Sequence, residues 1–344
     1  ASSPLMHNYG RTSIAFTHGE GCYLFDTNGK RYLDAIAGIA VNALGHAHPG
    51  FTAAVSAQAG RLVHVSNLYQ IPEQVKLGAV LCKRSGMQQA FFCNSGTESL
   101  EAAIKIARKY GHNNGVKKPK ILVFEGAFHG RTMGALAATH SLKYQQDFKP
   151  MLEGFVRVPY NDIPAAKAAL AKDKNIVAVL AEPAQGEGGV QLPAATFLNQ
   201  LRTLCDKHKN LLMLDEVQTG NGRSGKWFAY QHNGILPDVL STAKGLGNGY
   251  PIGACMVAGR AFDILQPGNH GSTFGGSPLA CAAGLAVYAA LDKDKLVKNA
   301  AARGKQLHTG LQKALRDCSA VTEIRSLGLL LGIQLDRPCG ELVS

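Results

Sequence analysis

Charge is scarce in this chain. Of its 344 residues 17% are Asp, Glu, Lys or Arg, below the roughly 25% of an average soluble protein. Little solvated surface per residue favours an oligomer. Acids are the rarer sign, 24 against 36 Lys and Arg, which leaves a formal charge of +12 and a preference for anionic ligands. Nucleic acid is the first anion to weigh, and the distribution argues against it. The bases are scattered, the longest cluster is Lys117-Lys118-Pro119-Lys120, and no basic run is interleaved with aromatics.

Other absences narrow the class further. The eight cysteines contain no C-x-x-C pair and several sit inside apolar runs, as free buried thiols do, so a reducing compartment is expected rather than a disulfide framework. The stretch from Ala1 to Ser13 has no apolar core of a secretory signal. The longest uncharged apolar stretch, Pro278 to Leu291, is too short to span a bilayer. A cytoplasmic protein with no membrane partner is the expectation. No tandem repeat or low-complexity linker interrupts the chain, and no G-x-G-x-x-G follows an early strand, which disfavours dinucleotide binding. His46-x-His48 lacks a third ligand at fixed spacing and sits among Pro and Gly, so structural loop histidines are expected and no metal.

What is present is an alternation of strands and helices. A β-hairpin is expected over Gly21 to Leu33, around the turn signal Asp26-Thr-Asn-Gly29. Phe91–Asn94, Ile121–Phe124, Ile176–Glu182 and Leu211–Asp215 read as strands, with helix-length segments at Ala165–Lys172 and Thr196–His208 between them. That order predicts an α/β fold with a mostly parallel sheet flanked by helices. The length calls for one large and one smaller unit, and the charge rise at Asp292-Lys-Asp-Lys295 leads toward the latter.

Chemistry gathers at the strand ends. Leu211-Leu-Met-Leu-Asp215 and Asp238-Val-Leu-Ser-Thr-Ala-Lys244 are apolar runs ending in a charged residue before a glycine-rich loop, where open α/β sheets present ligands. The first imitates the Walker B strand of an ATPase, and Gly220 to Lys226 nearly completes a Walker A loop. Trp227 then follows where magnesium needs a hydroxyl, and the order of the two parts is wrong. An acid for a pyridine nitrogen and a lysine for a Schiff base suit pyridoxal 5'-phosphate (PLP) instead. Ser95 with Glu98 forms a capping-box pattern that opens a helix with the amides of Gly96 and Thr97, a seat for phosphate. Gln218 is placed to hydrogen-bond the phenolic oxygen and Phe128 to stack on the ring. His129 and Arg131 either join Phe128 at the ligand or point outward from a surface turn, and the loop at Glu187 is flexible enough to bring a carboxylate to the ligand.

Asn94-Ser-Gly-Thr-Glu98, Phe128-His-Gly-Arg-Thr132, Glu182-Pro-x-Gln-Gly-Glu-Gly-Gly189, Asp215-Glu-Val-Gln-Thr-Gly220, Thr242-Ala-Lys244 and Ser272-Thr-Phe-Gly-Gly276 together resemble the serial signatures of class III aminotransferases. Val41 to Pro49, His64 to Tyr69 and Phe91 to Asn94 are similar to the acetylornithine branch of that class. The resemblance implies a PLP fold-type I homodimer with shared active sites and a seven-stranded, mainly parallel sheet. It implies a large PLP-binding domain over 41–290, with a small domain from both chain ends, 1–40 and 291–344. Lys244 is then the Schiff-base lysine and Asp215 the pyridinium partner. Gly96, Thr97, Phe128, Glu216, Val217 and Gln218 complete the cofactor site, with Thr273 reaching the phosphate across the dimer interface. Arg131, Glu187 and Ser272, the last from the other subunit, form the substrate site. The implied reaction moves the terminal amine of N2-acetyl-L-ornithine to 2-oxoglutarate, in arginine biosynthesis. Ornithine, succinyldiaminopimelate or another ω-amine donor is the alternative. A further arginine that family members use with the carboxylate matching Glu187 is expected beyond Ser344, so a truncated form, active or a silent PLP-binding protein, is also weighed.

Overall fold

The computed structural model describes residues 4–340, so the outermost residues of both expected flanking units, and the arginine expected beyond Ser344, lie outside the described residues. Twelve strands and ten α-helical segments are found among the described residues. The strands are β1 (Phe16–Glu20), β2 (Tyr23–Asp26), β3 (Arg31–Leu33), β4 (Gln89–Cys93), β5 (Lys120–Phe124), β6 (Phe155–Val158), β7 (Ile176–Ala181), β8 (Leu211–Asp215), β9 (Val239–Thr242), β10 (Gly253–Val257), β11 (Val321–Leu327) and β12 (Leu330–Leu335). The helices are α1 (Ala37–Ala40), α2 (Pro49–Ala59), α3 (Pro72–Ser85), α4 (Gly96–Asn113), α5 (Met133–Ala138), α6 (Leu142–Gln145), α7 (Ile163–Lys172), α8 (Phe197–His208), α9 (Pro278–Lys293) and α10 (Leu296–Ala314).

Seven strands form one sheet in the order β4-β10-β9-β8-β7-β5-β6. The β9-β8-β7-β5-β6 pairs are parallel, while β10 runs antiparallel to both its neighbours. Alternation along each strand divides the core into two layers. Leu212 and Leu214 of β8 join α3, α8 and α9 on one face, whereas Leu211 and Met213 join α4 and α5 on the other. Strands buried on both faces read as uninterrupted apolar runs, and β7 and β8 do so at every position. The carboxyl ends of the parallel strands, and the start of the reversed β10, therefore open on one edge.

Two small sheets flank this unit: β1-β2-β3 before it and β11-β12 after it. The expected hairpin is β2-β3, its turn closed by Asp26 Oδ1, which accepts from the amides of Asn28 and Lys30 at 2.9 Å each. The two loop histidines have structural partners. His46 Nε2 lies 2.7 Å from Asp34 Oδ2, and His48 Nδ1 accepts from the Phe51 amide at the start of α2. No helix of the described residues is long and apolar enough to cross a membrane.

Candidate active site

The loops at the open edge enclose a cavity of about 380 Å³, within the range of small-molecule sites. Asp215 closes β8 and Lys244 follows β9, its neighbour, so both line this cavity. Asp215 is 5% exposed and accepts from the Val217 amide at 3.0 Å through Oδ1. Its Oδ2 lies 2.8 Å from His129 Nδ1. A carboxylate offers only acceptors, so Nδ1 carries the hydrogen. His129 is thus no surface residue: it is 3% exposed, its amide donates to Thr139 Oγ1, and its Nε2 is buried without a partner.

Lys244 has φ +47°, a left-handed conformation uncommon outside glycine. Burial lowers its pKa below the ordinary lysine value, with Asp215, Glu182 and Glu187 pulling the other way. Glu182, at the end of β7, is the third carboxylate of the cavity. It accepts from the amides of Phe128 and Gly186, at 2.9 and 3.2 Å, and burial pushes its pKa up to about 7. Asp215 adds to that rise while His129 opposes it.

At β4 the chain enters α4 through Ser95, whose Oγ accepts from the Glu98 amide at 3.3 Å. The reciprocal half of the capping box is displaced by one residue: Glu98 Oε2 accepts from the amide of Asn94, at 2.6 Å, rather than that of Ser95. Gly96 and Thr97 line the cavity in the first helical turn, where amides have no intrahelical acceptor. Packing here excludes larger residues. A Cβ on Gly96 would lie 2.9 Å from Val217 Cγ1, and one on Gly130, at φ +130°, would collide with Thr97 Oγ1.

Phe128, Val217, Gln218, Arg131 and Glu187 also line the cavity. Arg131 and Glu187 are exposed at its mouth and share a neighbour the sequence did not single out, Tyr144. The Arg131 guanidinium sits 3.7 Å from the centre of the Tyr144 ring, and Tyr144 Oη donates to Glu187 Oε1 at 3.4 Å. Three expected residues stand apart. Glu216 is fully buried facing the core, where its carboxylate accepts from Thr219 Oγ1 and from the amides of Ala229 and Tyr230. Ser272 and Thr273 do not line this chain's cavity. Ser272 Oγ accepts from the Gly275 amide and from Asn94 Nδ2, on the chain's own side. Glu182 is read from the sequence as a strand end and a motif residue but not as a site residue, although it obeys the rule that selects Asp215, an acid closing an unbroken apolar strand. Tyr250, Pro251 and Ile252, which enter the cavity ahead of β10, carried no such signal.

Comparison with known proteins places these features in company. The family description "Aminotransferase class-III" matches residues 5–341. Acetylornithine aminotransferase 1 of Bordetella bronchiseptica is 51% identical over 343 residues, which span 100% of this chain and 87% of that protein. Among solved structures, the ornithine aminotransferase of Toxoplasma gondii, with partial occupancy of PLP at its active site, superposes with a TM-score of 0.92 at 34% identity, covering 97% of this chain and 79% of its own. The acetylornithine aminotransferase of Elizabethkingia anophelis does so with a TM-score of 0.85 at 35% identity, covering 96% and 82%.

Proposed function

From the premise that this chain belongs to the class III aminotransferases, PLP-dependent enzymes, we propose that it transfers the 5-amino group of N2-acetyl-L-ornithine to 2-oxoglutarate. The products are N-acetyl-L-glutamate 5-semialdehyde and L-glutamate, a step of arginine biosynthesis. The observation that carries the chemistry is the meeting of Lys244 and Asp215 in one cavity. The choice of donor is supported by the relatives named for acetylornithine.

The donor set fits PLP. A lysine of lowered pKa, an acid backed by His129 and a glycine-bearing helix start surround a single cavity, with Gly96 and Gly130 packed too closely for a side chain. When bound, the cofactor supplies an electrophilic aldehyde and a ring that accepts the electron pair left by a departing proton. Lys244 would hold the aldehyde carbon and Asp215 the ring nitrogen. Gln218 would serve the phenolic oxygen, Phe128 and Val217 the ring, and Gly96 and Thr97 the phosphate. Glu216 contributes by fixing the 229–232 turn from beneath. With its amine free, Lys244 Nζ takes the proton from the amine-bearing carbon of the substrate; a lowered pKa leaves more of that amine neutral at a given pH. Arg131 holds a substrate carboxylate, and Tyr144 contacts both Arg131 and Glu187 at the mouth.

The working unit we assign is a cytoplasmic homodimer. Leu68 is 89% exposed, Ile36 68% and Phe274 63%, apolar surface that a second copy would cover. Ser272 and Thr273 then serve the other subunit's cavity. The large domain spans 41–290 and the small one draws on 1–40 and 291–344, in keeping with the separate sheets β1-β2-β3 and β11-β12.

The deciding measurement is the ratio of kcat/KM for acetylornithine and ornithine, with succinyldiaminopimelate alongside. Acetylornithine should lead, by about tenfold over ornithine, since a site that pairs with the amide gains on the order of 1.4 kcal/mol. A lead for ornithine overturns the donor assignment. Lys244→Ala should abolish both visible cofactor absorbance and transamination.

A further inference from the structure

Asn221 lies behind the cavity, just past the Asp215–Gly220 motif, and its side chain is committed on three sides. Nδ2 donates to Thr242 Oγ1 at 2.9 Å and to the Ala243 carbonyl at 3.0 Å, while Oδ1 accepts from Tyr288 Oη at 2.9 Å. Both amide hydrogens and the oxygen are engaged in a residue only 4% exposed, so the group cannot flip without losing all three bonds. The partners belong to three parts of the fold: the end of β9, the turn that carries Lys244, and α9. Asn221 has φ +56°, which asparagine tolerates better than most residues.

The turn needs such a hold. Lys244 has φ +47°, in the left-handed region, directly after the Ala243 carbonyl that Asn221 holds. A backbone in a sparsely populated conformation persists only where its surroundings impose it. Tyr288 is itself well anchored: it is 2% exposed and stacked on Trp227 with ring centres 5.1 Å apart, and Arg84 covers the other ring at 4.8 Å.

We propose that Asn221, oriented by the Tyr288 hydroxyl, is a positioning residue for Lys244, fixing the start of its turn through the Ala243 carbonyl. The proposal rests on the reading of Lys244 as the lysine that bonds the cofactor. It assigns to α9, which does not touch the cavity, control over where the Lys244 amine sits.

The test uses the full chain loaded with PLP, in two variants. Tyr288→Phe deletes one oxygen and keeps the ring stack; Asn221→Gly deletes the amide and tolerates the left-handed backbone. Three quantities are read: the pH midpoint of the bound cofactor's visible absorbance, kcat and KM with acetylornithine, and the melting temperature. A positioning role moves the absorbance midpoint by about half a unit or more and lowers kcat roughly threefold to tenfold, the yield of one buried hydrogen bond, with KM within about twofold. An unchanged midpoint and kcat, with or without a lower melting temperature, overturns it. Should Asn221→Gly fail to fold, Tyr288→Phe decides alone. Lys244→Ala in the same assay separates the premise: cofactor absorbance that survives this substitution removes the reading of Lys244, and the proposal falls with it.

Discussion

Glu216 illustrates how much of a motif can be structural. Fully buried, it gives both oxygens to the 229–232 turn, and burial pushes its pKa up to about 7 from an ordinary value of 4.5. A carboxyl that binds its proton more tightly when folded adds stability that is complete below the unfolded pKa and is lost as pH rises through the folded one. The window is therefore about 4.5 to 7. Glu216→Gln removes the titration, so the stability of the wild type relative to this variant should decline across that window, by on the order of 3 kcal/mol. Urea unfolding of both proteins at several pH values checks it; a difference that grows with pH contradicts the assignment. Glu182 shows the same rise beside Lys244, so a carboxyl close to the reacting groups also changes charge near neutral pH.

Between elements, one residue sets how β8 and β9 meet, and hence how Asp215 faces Lys244. Asp238 bonds Leu212 twice: its amide donates to the Leu212 carbonyl, and its side-chain Oδ2 accepts from the Leu212 amide, each at 2.8 Å. Arg202 of α8 pairs with that same oxygen at 2.7 Å. Removing one partner of a buried pair leaves a charge uncompensated, so Arg202→Ala should cost about 3 kcal/mol in chemical denaturation, the low end for such pairs because Arg260 stands 4.0 Å away. This level of organisation was partly legible in the sequence. The strands β5, β7 and β8 announce themselves because burial on both faces leaves no polar interruption. β6 does not, because Arg157 breaks its run to donate to the carbonyls of Ala137, Ala138 and Thr139 at the end of α5. β10, Gly-Ala-Cys-Met-Val, is buried at its first four positions, but its glycine, alanine and cysteine give little of the bulky β-branched signal that marks β7. In the site, Asp215, Lys244, Gly96 and Thr97 were legible from strand ends and a capping pattern. The His129–Asp215 pair was not: the residues lie 86 positions apart, and only the pairing of β5, β7 and β8 brings them together.

For the whole molecule, the low charge fraction and the exposed apolar residues point the same way. Val63 is 50% exposed and Leu68 89%. On the proposed shared-site dimer, the double substitution Val63→Asp, Leu68→Asp should halve the mass seen by light scattering and abolish transamination, Ser272 and Thr273 being withdrawn from a second cavity; a wild-type protein that is monomeric at working concentration refutes the shared site. Sheet order has a further consequence, in time rather than in space. β4, which leads into α4 and its proposed phosphate seat, is an edge strand whose sheet partner among the described residues is β10. During synthesis, residues 89–93 leave the ribosome long before 253–257 exist to hold them. A nascent chain halted after Lys244 thus carries the acid and the amine, and α4 with the strands β5, β7, β8 and β9 that it packs on, but not the strand that pairs with β4. On the proposed reading, the strand that leads into the phosphate seat gains its sheet partner only after the acid and the amine have both been made.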